Sequence, residues 1–173
     1  MMEHECFEPE LLECHDLGSY AEYEDNLFNL FIETYVENPL SFQELTIKLK
    51  RYPPGYDVRS CFYHIICENY FGGNEDDRKP NLRRCERILH PEHIIEMSDA
   101  DKCTEVIYWE NTRKGKDNIV FYCTNIRYLV VLGKRNNYLL LVTAYPITED
   151  HRHKKLLSEY EDYISQKANN APA

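Results

Sequence analysis

The chain has little of what builds specialised sites, and each shortage excludes a class of function. Only 6 of its 173 residues are glycine, and no phosphate-binding loop, nucleophile elbow or His-Glu-x-x-His motif is present. Cysteines stand at 6, 14, 61, 67, 85, 103 and 123, an odd number with no Cys-x-x-Cys spacing. A zinc centre or a disulfide framework is therefore not expected, and buried free thiols in a reducing compartment are. No apolar run is long enough to span a bilayer, and the acidic start Met1–Glu8 lacks the apolar stretch of a signal peptide. The expectation is a cytoplasmic protein without a membrane partner. There is no internal repeat and no low-complexity block, and the length suits one domain with a core of its own.

What is there begins with residues 126–147. Two strand-length apolar runs flank Gly133-Lys134-Arg135-Asn136-Asn137, which reads as a β-hairpin with a basic tip. The runs are nearly continuous in apolar character, so the hairpin belongs in a sheet covered on at least one face. Its second strand ends Thr143-Ala144-Tyr145-Pro146, where a hydroxyl and a phenol can meet a ligand.

The formal charge of −10 hides an asymmetry. Residues 1–77 carry 4 Lys/Arg against 17 Asp/Glu, whereas residues 78–155 carry 15 against 10. An acidic front joined to a basic back points to an anionic partner for the back half, or simply to a solvated acidic surface.

The elements follow from periodicity. Leu27, Leu30, Phe31 and Tyr35 predict an amphipathic helix over 20–37, ended by Asn38-Pro39. Residues 45–52 alternate as a half-exposed strand with Lys48 and Lys50 on one face, before a turn at 53–55. A short apolar helix over 61–70, a polar loop over 72–80 and a helix over 82–89, broken by Pro91, come next. Strands are expected at 105–109, 118–123, 128–132 and 138–144, and a polar helix at 151–166. The fold class is α+β: an antiparallel meander sheet of four to five strands with helices packed on one face. It divides into an acidic N-terminal helical segment (1–44), an α+β core (45–150) and a C-terminal helix and tail (151–173).

His90 with His93 and His151 with His153 read as solvated histidines, so no metal and no cofactor is expected. His64, on the short apolar helix, is either a hydrogen-bonded packing residue or a general acid or base. Arg84 and Arg87, one turn apart, either clamp a phosphate or pair with Glu86 and the acidic half.

The order of these pieces carries a resemblance over residues 45–150. A basic strand with Lys48 and Lys50 precedes Phe62-Tyr63-His64, then Arg83-Arg84-Cys85-Glu86-Arg87-Ile88, then a four-strand meander ending in Leu141-Val142-Thr143-Ala144-Tyr145-Pro146. This resembles the BECR-fold nucleases of phages and mobile elements (barnase, EndoU, colicin D-type and RelE-like). The chain departs from the family pattern at His90 and in its acidic front helix. The resemblance implies a toxin-like, metal-independent endoribonuclease that cleaves RNA by 2′-hydroxyl attack and is held by a cognate antitoxin or inhibitor protein. It also implies a site. His64, Arg87, Lys50, Thr143 and Tyr145 would be catalytic, and Lys48, Arg84, Lys134 and Arg135 would bind RNA. The alternative is a non-catalytic interaction module that uses the sheet and the acidic N-terminal surface to bind a protein partner.

Overall fold

The computed structural model describes residues 8–51, 54–69, 77–99 and 103–171. Among the described residues the α-helices and β-strands follow one another as α1 (Tyr20–Ile32), β1 (Ser41–Phe42), β2 (Leu45–Lys48), α2 (Val58–Ile66), β3 (Cys67–Glu68), β4 (Lys79–Pro80), α3 (Leu82–Glu86), α4 (His90–Asp99), β5 (Val106–Arg113), β6 (Lys116–Cys123), β7 (Tyr128–Lys134), β8 (Leu139–Pro146) and α5 (Asp150–Asn169). The expected turn residue Pro53, most of the loop 72–80 and the first seven residues lie outside the described residues.

The α+β class and the β5–β8 meander are as expected, but the sheet is larger and not wholly antiparallel. It has six strands in the order β1-β2-β8-β7-β6-β5, and β2 runs parallel to β8. Two local features explain the extra strand. Gln43 and Glu44 both adopt positive φ, which makes the two-residue primed turn that joins β1 to β2. Neither residue advertises such a turn, and it is held from outside: the Gln43 amide donates to Asp99 Oδ1 at 2.8 Å. The parallel pair joins segments some ninety residues apart in sequence, so no hairpin signal announces it. By contrast, the β5–β6 turn has Gly115 at φ 70, where a glycine carries no steric penalty.

Helices pack on both faces of the sheet, which corrects the expectation of helices on one face. Facing α1–α4, Phe121, Val130, Leu132, Leu139 and Ala144 bury against Phe31, Phe62, Ile66, Ile88, Ile94 and Ile95. On the opposite face, Trp109, Val120, Tyr122, Leu129 and Ile147 bury against Leu156 of α5, with Leu157, Tyr160 and Tyr163 packed at the margin. The stripe on α5 is narrow and set among charges, so its sequence reads as polar throughout. Double coverage accounts for the unbroken burial of Asn118–Cys123 in β6. Fully burying one such aromatic or aliphatic side chain stabilises by about 1.5–3 kcal/mol.

Helix α1 belongs to the same core as the sheet, since Leu27, Phe31 and, in the following π-turn over 33–37, Tyr35 are buried in it. Tyr35 Oη donates to the Ile88 carbonyl at 2.6 Å. Pro91 does not end a helix; it lies in the first turn of α4, where its missing N–H leaves no bond unmade. His90 is a second correction, because it is buried rather than solvated. Cys61, Cys67, Cys85, Cys103 and Cys123 are buried free thiols, and burial pushes Cys85 up to about 12. No helix among the described residues is long and apolar enough to cross a membrane.

Candidate functional site

Strand β2 pairs with β8 at only two positions, Ile47 with Leu139 and Lys48 with Leu140. Among the described residues, the outer edge of β8 past Leu140 is approached by α2 and α3 and by no strand. A bulge falls at this point: Thr143 pairs with Val131 and Leu141 with Leu132, so Val142 is a surplus residue. Leu141 and Ala144 both face the main core, which puts Val142 and Thr143 together on the other side. Bulges of this kind bend a strand and re-aim its side chains. The result is a cleft of about 550 Å³ along the free edge of β8. It is lined by His64 from α2, Arg78, Asn81, Arg83 and Arg84 from the α3 region, Thr143 and Tyr145 from β8, and Arg152 from α5, with Glu68 and Glu149.

The guanidiniums are held mainly by neutral groups. Helix α2 starts at a capping box, in which Ser60 N donates to Asp57 Oδ1 at 2.9 Å and the Ser60 hydroxyl accepts from the Asp57 amide. Its far end presents carbonyls, the electronegative end of a helix. Arg78 Nη2 donates to the His64 carbonyl at 3.1 Å and also to that of Cys67, and Arg84 Nη1 donates to Cys67 O at 3.0 Å. The Arg84 guanidinium lies over the Tyr145 ring, 4.8 Å from its centroid. Arg152 Nη2 donates to Tyr145 Oη at 3.0 Å. One phenol is thus bracketed by two arginines from different elements. Asn81 caps α3 by accepting from the Arg84 amide and donates to Glu68 Oε2 at 2.8 Å, which steadies the acidic wall. Glu68 itself stays 4.0 Å from Arg84. Burial pulls the Arg84 pKa below the ordinary arginine value, with Glu68 opposing; an arginine so placed keeps its charge at neutral pH.

Four of the nine residues singled out in sequence line this cleft: His64, Arg84, Thr143 and Tyr145. The other five lie elsewhere. Lys50 Nζ sits 4.7 Å from the Tyr56 ring centroid, in a small adjoining hollow that His64 also lines. Arg87 is turned away: its Nε is 3.5 Å from Glu8 Oε1, and its Nη1 is 3.3 Å from Glu86 Oε2 and 3.0 Å from the Arg83 carbonyl. Lys134, at the other end of β8, is bound to Glu110 at 2.7 Å. Arg135 donates to the Lys134 carbonyl, and Lys48 Nζ lies 4.6 Å from the Tyr138 ring centroid. Conversely, Arg78 and Arg152 join the cleft without any signal of period or motif, and Arg83 joins it from the motif Arg83–Ile88, in which the sequence assigns a role only to Arg84 and Arg87. Arg78 lies within the expected loop 72–80, and Arg152 stands in a run of charges, His151 to Lys155.

Among the described residues, four arginines against two glutamates, with one imidazole and the hydroxyls of Thr143, Tyr145 and Thr148, make a site for an anion with several acceptor oxygens. Among the described residues no group of three or more His, Cys, Asp or Glu side chains is placed to hold a metal ion. No model of a known protein family matches the chain, nor does any curated protein or solved structure.

Proposed function

We propose that the protein is an endoribonuclease whose active site is the cleft at the free edge of β8. The observation that carries this reading is the convergence of His64, Thr143 and Tyr145 with Arg78, Arg83, Arg84 and Arg152 on one cavity. Metal-independent cleavage needs a base to take the proton from the 2′-hydroxyl, whose oxygen attacks phosphorus. It needs an acid to protonate the departing 5′-oxygen, and cations for the charge that gathers on the phosphoryl oxygens. The products are a 2′,3′-cyclic phosphate and a free 5′-hydroxyl. In this reading His64 serves as acid or base, Arg84 and its neighbours hold the phosphoryl oxygens, and Thr143 and Tyr145 hydrogen-bond the phosphate or ribose. An inhibitor protein that covers the cleft would present carboxylates to these arginines.

Incubating the purified protein with total RNA in EDTA tests the reading. Cleavage that leaves cyclic phosphate ends is expected. Intact RNA at every salt concentration would overturn it in favour of the non-catalytic interaction module. That second reading is favoured by one observation, the pairing of Arg87 with Glu8 and Glu86 away from the cleft.

A further inference from the structure

The face of the sheet that carries α5 is only partly covered. Helix α5 buries Trp109, Val120, Tyr122 and Leu129, which belong to β5, β6 and the start of β7. The β8 side of that face is left more open: Val142 is 37 % exposed, and Leu140 and Thr143 are partly so. Lys48 alternates with buried Ile47 and pairs with Leu140, so it stands on this same face, with its ammonium over Tyr138. Gly133 keeps the strip low. A Cβ there would meet Arg135 Nη1 at 3.0 Å and Val142 Cγ2 at 3.2 Å, so the Arg135 side chain lies back along the strand towards Val142. Among the described residues, neither Lys48 nor Arg135 is paired with a carboxylate, unlike Lys134 beside them.

A continuous path therefore leads out of the cleft along β8, from Tyr145 and Arg152 past Thr143 and Val142 to Arg135 and then to Tyr138 with Lys48. From Thr143 to Tyr138 it runs roughly 15 Å at the rise of an extended strand. We infer that this strip docks the single-stranded RNA segment flanking the scissile phosphate, with Tyr138 stacking on an unpaired base and Lys48 and Arg135 holding backbone phosphates. The inference rests on the ribonuclease reading of the cleft. An aromatic ring beside two unpaired cations is the arrangement by which flat surfaces hold unpaired strands without reading their sequence. A duplex keeps its bases stacked inside and offers none to Tyr138.

The test is fluorescence anisotropy with labelled 2′-O-methyl RNA, which cannot be cleaved by 2′-hydroxyl attack. A single-stranded oligomer of about eight nucleotides, within the usual size of such sites, is compared with a dinucleotide and with a duplex of the same length. The oligomer should bind about tenfold or more tighter than either. Tyr138→Ala should weaken the oligomer by about tenfold, the scale of one stacked base, and leave the dinucleotide unchanged. Tyr138→Phe should bind like the parent, which separates stacking from misfolding; thermal melts by circular dichroism check both variants. Lys48→Ser with Arg135→Ser should make the log–log salt dependence shallower by about 1.4, the value for two phosphate contacts on a single strand. If RNA is cleaved and the dinucleotide binds, but length and Tyr138 do not matter, the track is wrong and the cleft stands. If no oligonucleotide binds and no RNA is cut, the cleft reading fails and the track falls with it; the face then serves a protein partner.

Discussion

Arg84 and Arg87 lie one turn apart in sequence and meet opposite fates. Arg84 reaches a backbone carbonyl and the face of a tyrosine, and Glu68 is no nearer than 4.0 Å. Arg87 reaches Glu8 and Glu86. The first is held mainly by neutral groups, with one carboxylate at the limit of ion-pair distance, whereas the second is held by two carboxylates at 3.5 and 3.3 Å. The two ends of β8 repeat the contrast, with guanidiniums on carbonyls at Tyr145 and an ammonium on a carboxylate at Lys134. A cation is available to a ligand because of what anchors it, and the number of basic residues nearby is a poor guide.

The sharpest way to break this comparison is to remove each arginine in turn. Arg84→Ala should lower the cleavage rate on the order of 100-fold or more, the usual cost of removing a transition-state donor. Arg87→Ala should leave the rate within about threefold of the parent, since Arg87 donates nothing to the cleft, and should instead lower stability by about 1 kcal/mol on urea unfolding, the scale of a partly exposed ion pair. Equal losses of rate from the two variants would dissolve the distinction.

A smaller effect is expected at Tyr145. Tyr145→Phe keeps the ring under Arg84 and removes the acceptor of Arg152, so the rate should fall by about tenfold or less, as for one hydrogen bond. Single-turnover kinetics on a defined RNA would measure it. No change would mean that Arg152 holds its position without the phenol.

The Arg87 region carries a pH dependence of its own. Burial holds His90 below its ordinary pKa against the pull of Glu8, whose carboxylate is 3.0 Å from Nε2; among the described residues, the buried Nδ1 has no hydrogen-bond partner. The unfolded chain therefore takes up this proton first as pH falls. The contribution to stability is complete above the unfolded value near 6.5 and is lost on acidification towards the depressed folded value, by at most about 1.4 kcal/mol per pH unit. His90→Phe, which can still pack against Tyr128, should flatten unfolding free energy between about pH 7 and 5 relative to the parent. His93 and His153, also held low by burial, titrate in both proteins and cancel in the difference. An identical slope in the variant would assign the dependence to other groups, among them His93, His153 and Glu92, whose carboxyl pKa burial raises.

The smallest effect should come from Lys134. Its pair with Glu110 is exposed, so Lys134→Ala should change stability by less than about 0.5 kcal/mol and cleavage not at all.

Much of the meander was legible because its strands are apolar, its turns are short and polar, and Gly115 marks one of them. What could not be read depended on distant partners. The β1–β2 turn lacks glycine and asparagine and is stabilised by Asp99, far along the chain. The parallel β2–β8 pair has no local code. The helical side of the sheet was visible in the strong apolar stripe of Leu27, Phe31 and Tyr35, while Leu156 and Tyr160 on α5 were lost among charges. At the cleft, His64, Thr143 and Tyr145 stood out as polar groups ending or interrupting apolar runs. Arg78 and Arg152 looked like any surface arginine, and only their acceptors, the end of α2 and the Tyr145 hydroxyl, distinguish them.

Val142 sits outside the in-and-out rhythm of β8. With it removed, Leu141, Thr143, Ala144 and Tyr145 would alternate regularly, opposite the same residues of β7 and on the same faces as before. The sheet would close up with its pairing intact, and only the bend would vanish. The curvature of the cleft wall is thus encoded as one supernumerary residue. Shortening the chain by that residue would separate the architecture of the sheet from the shape of its site, at the loss of one apolar side chain from the lining and of none of its polar or charged groups.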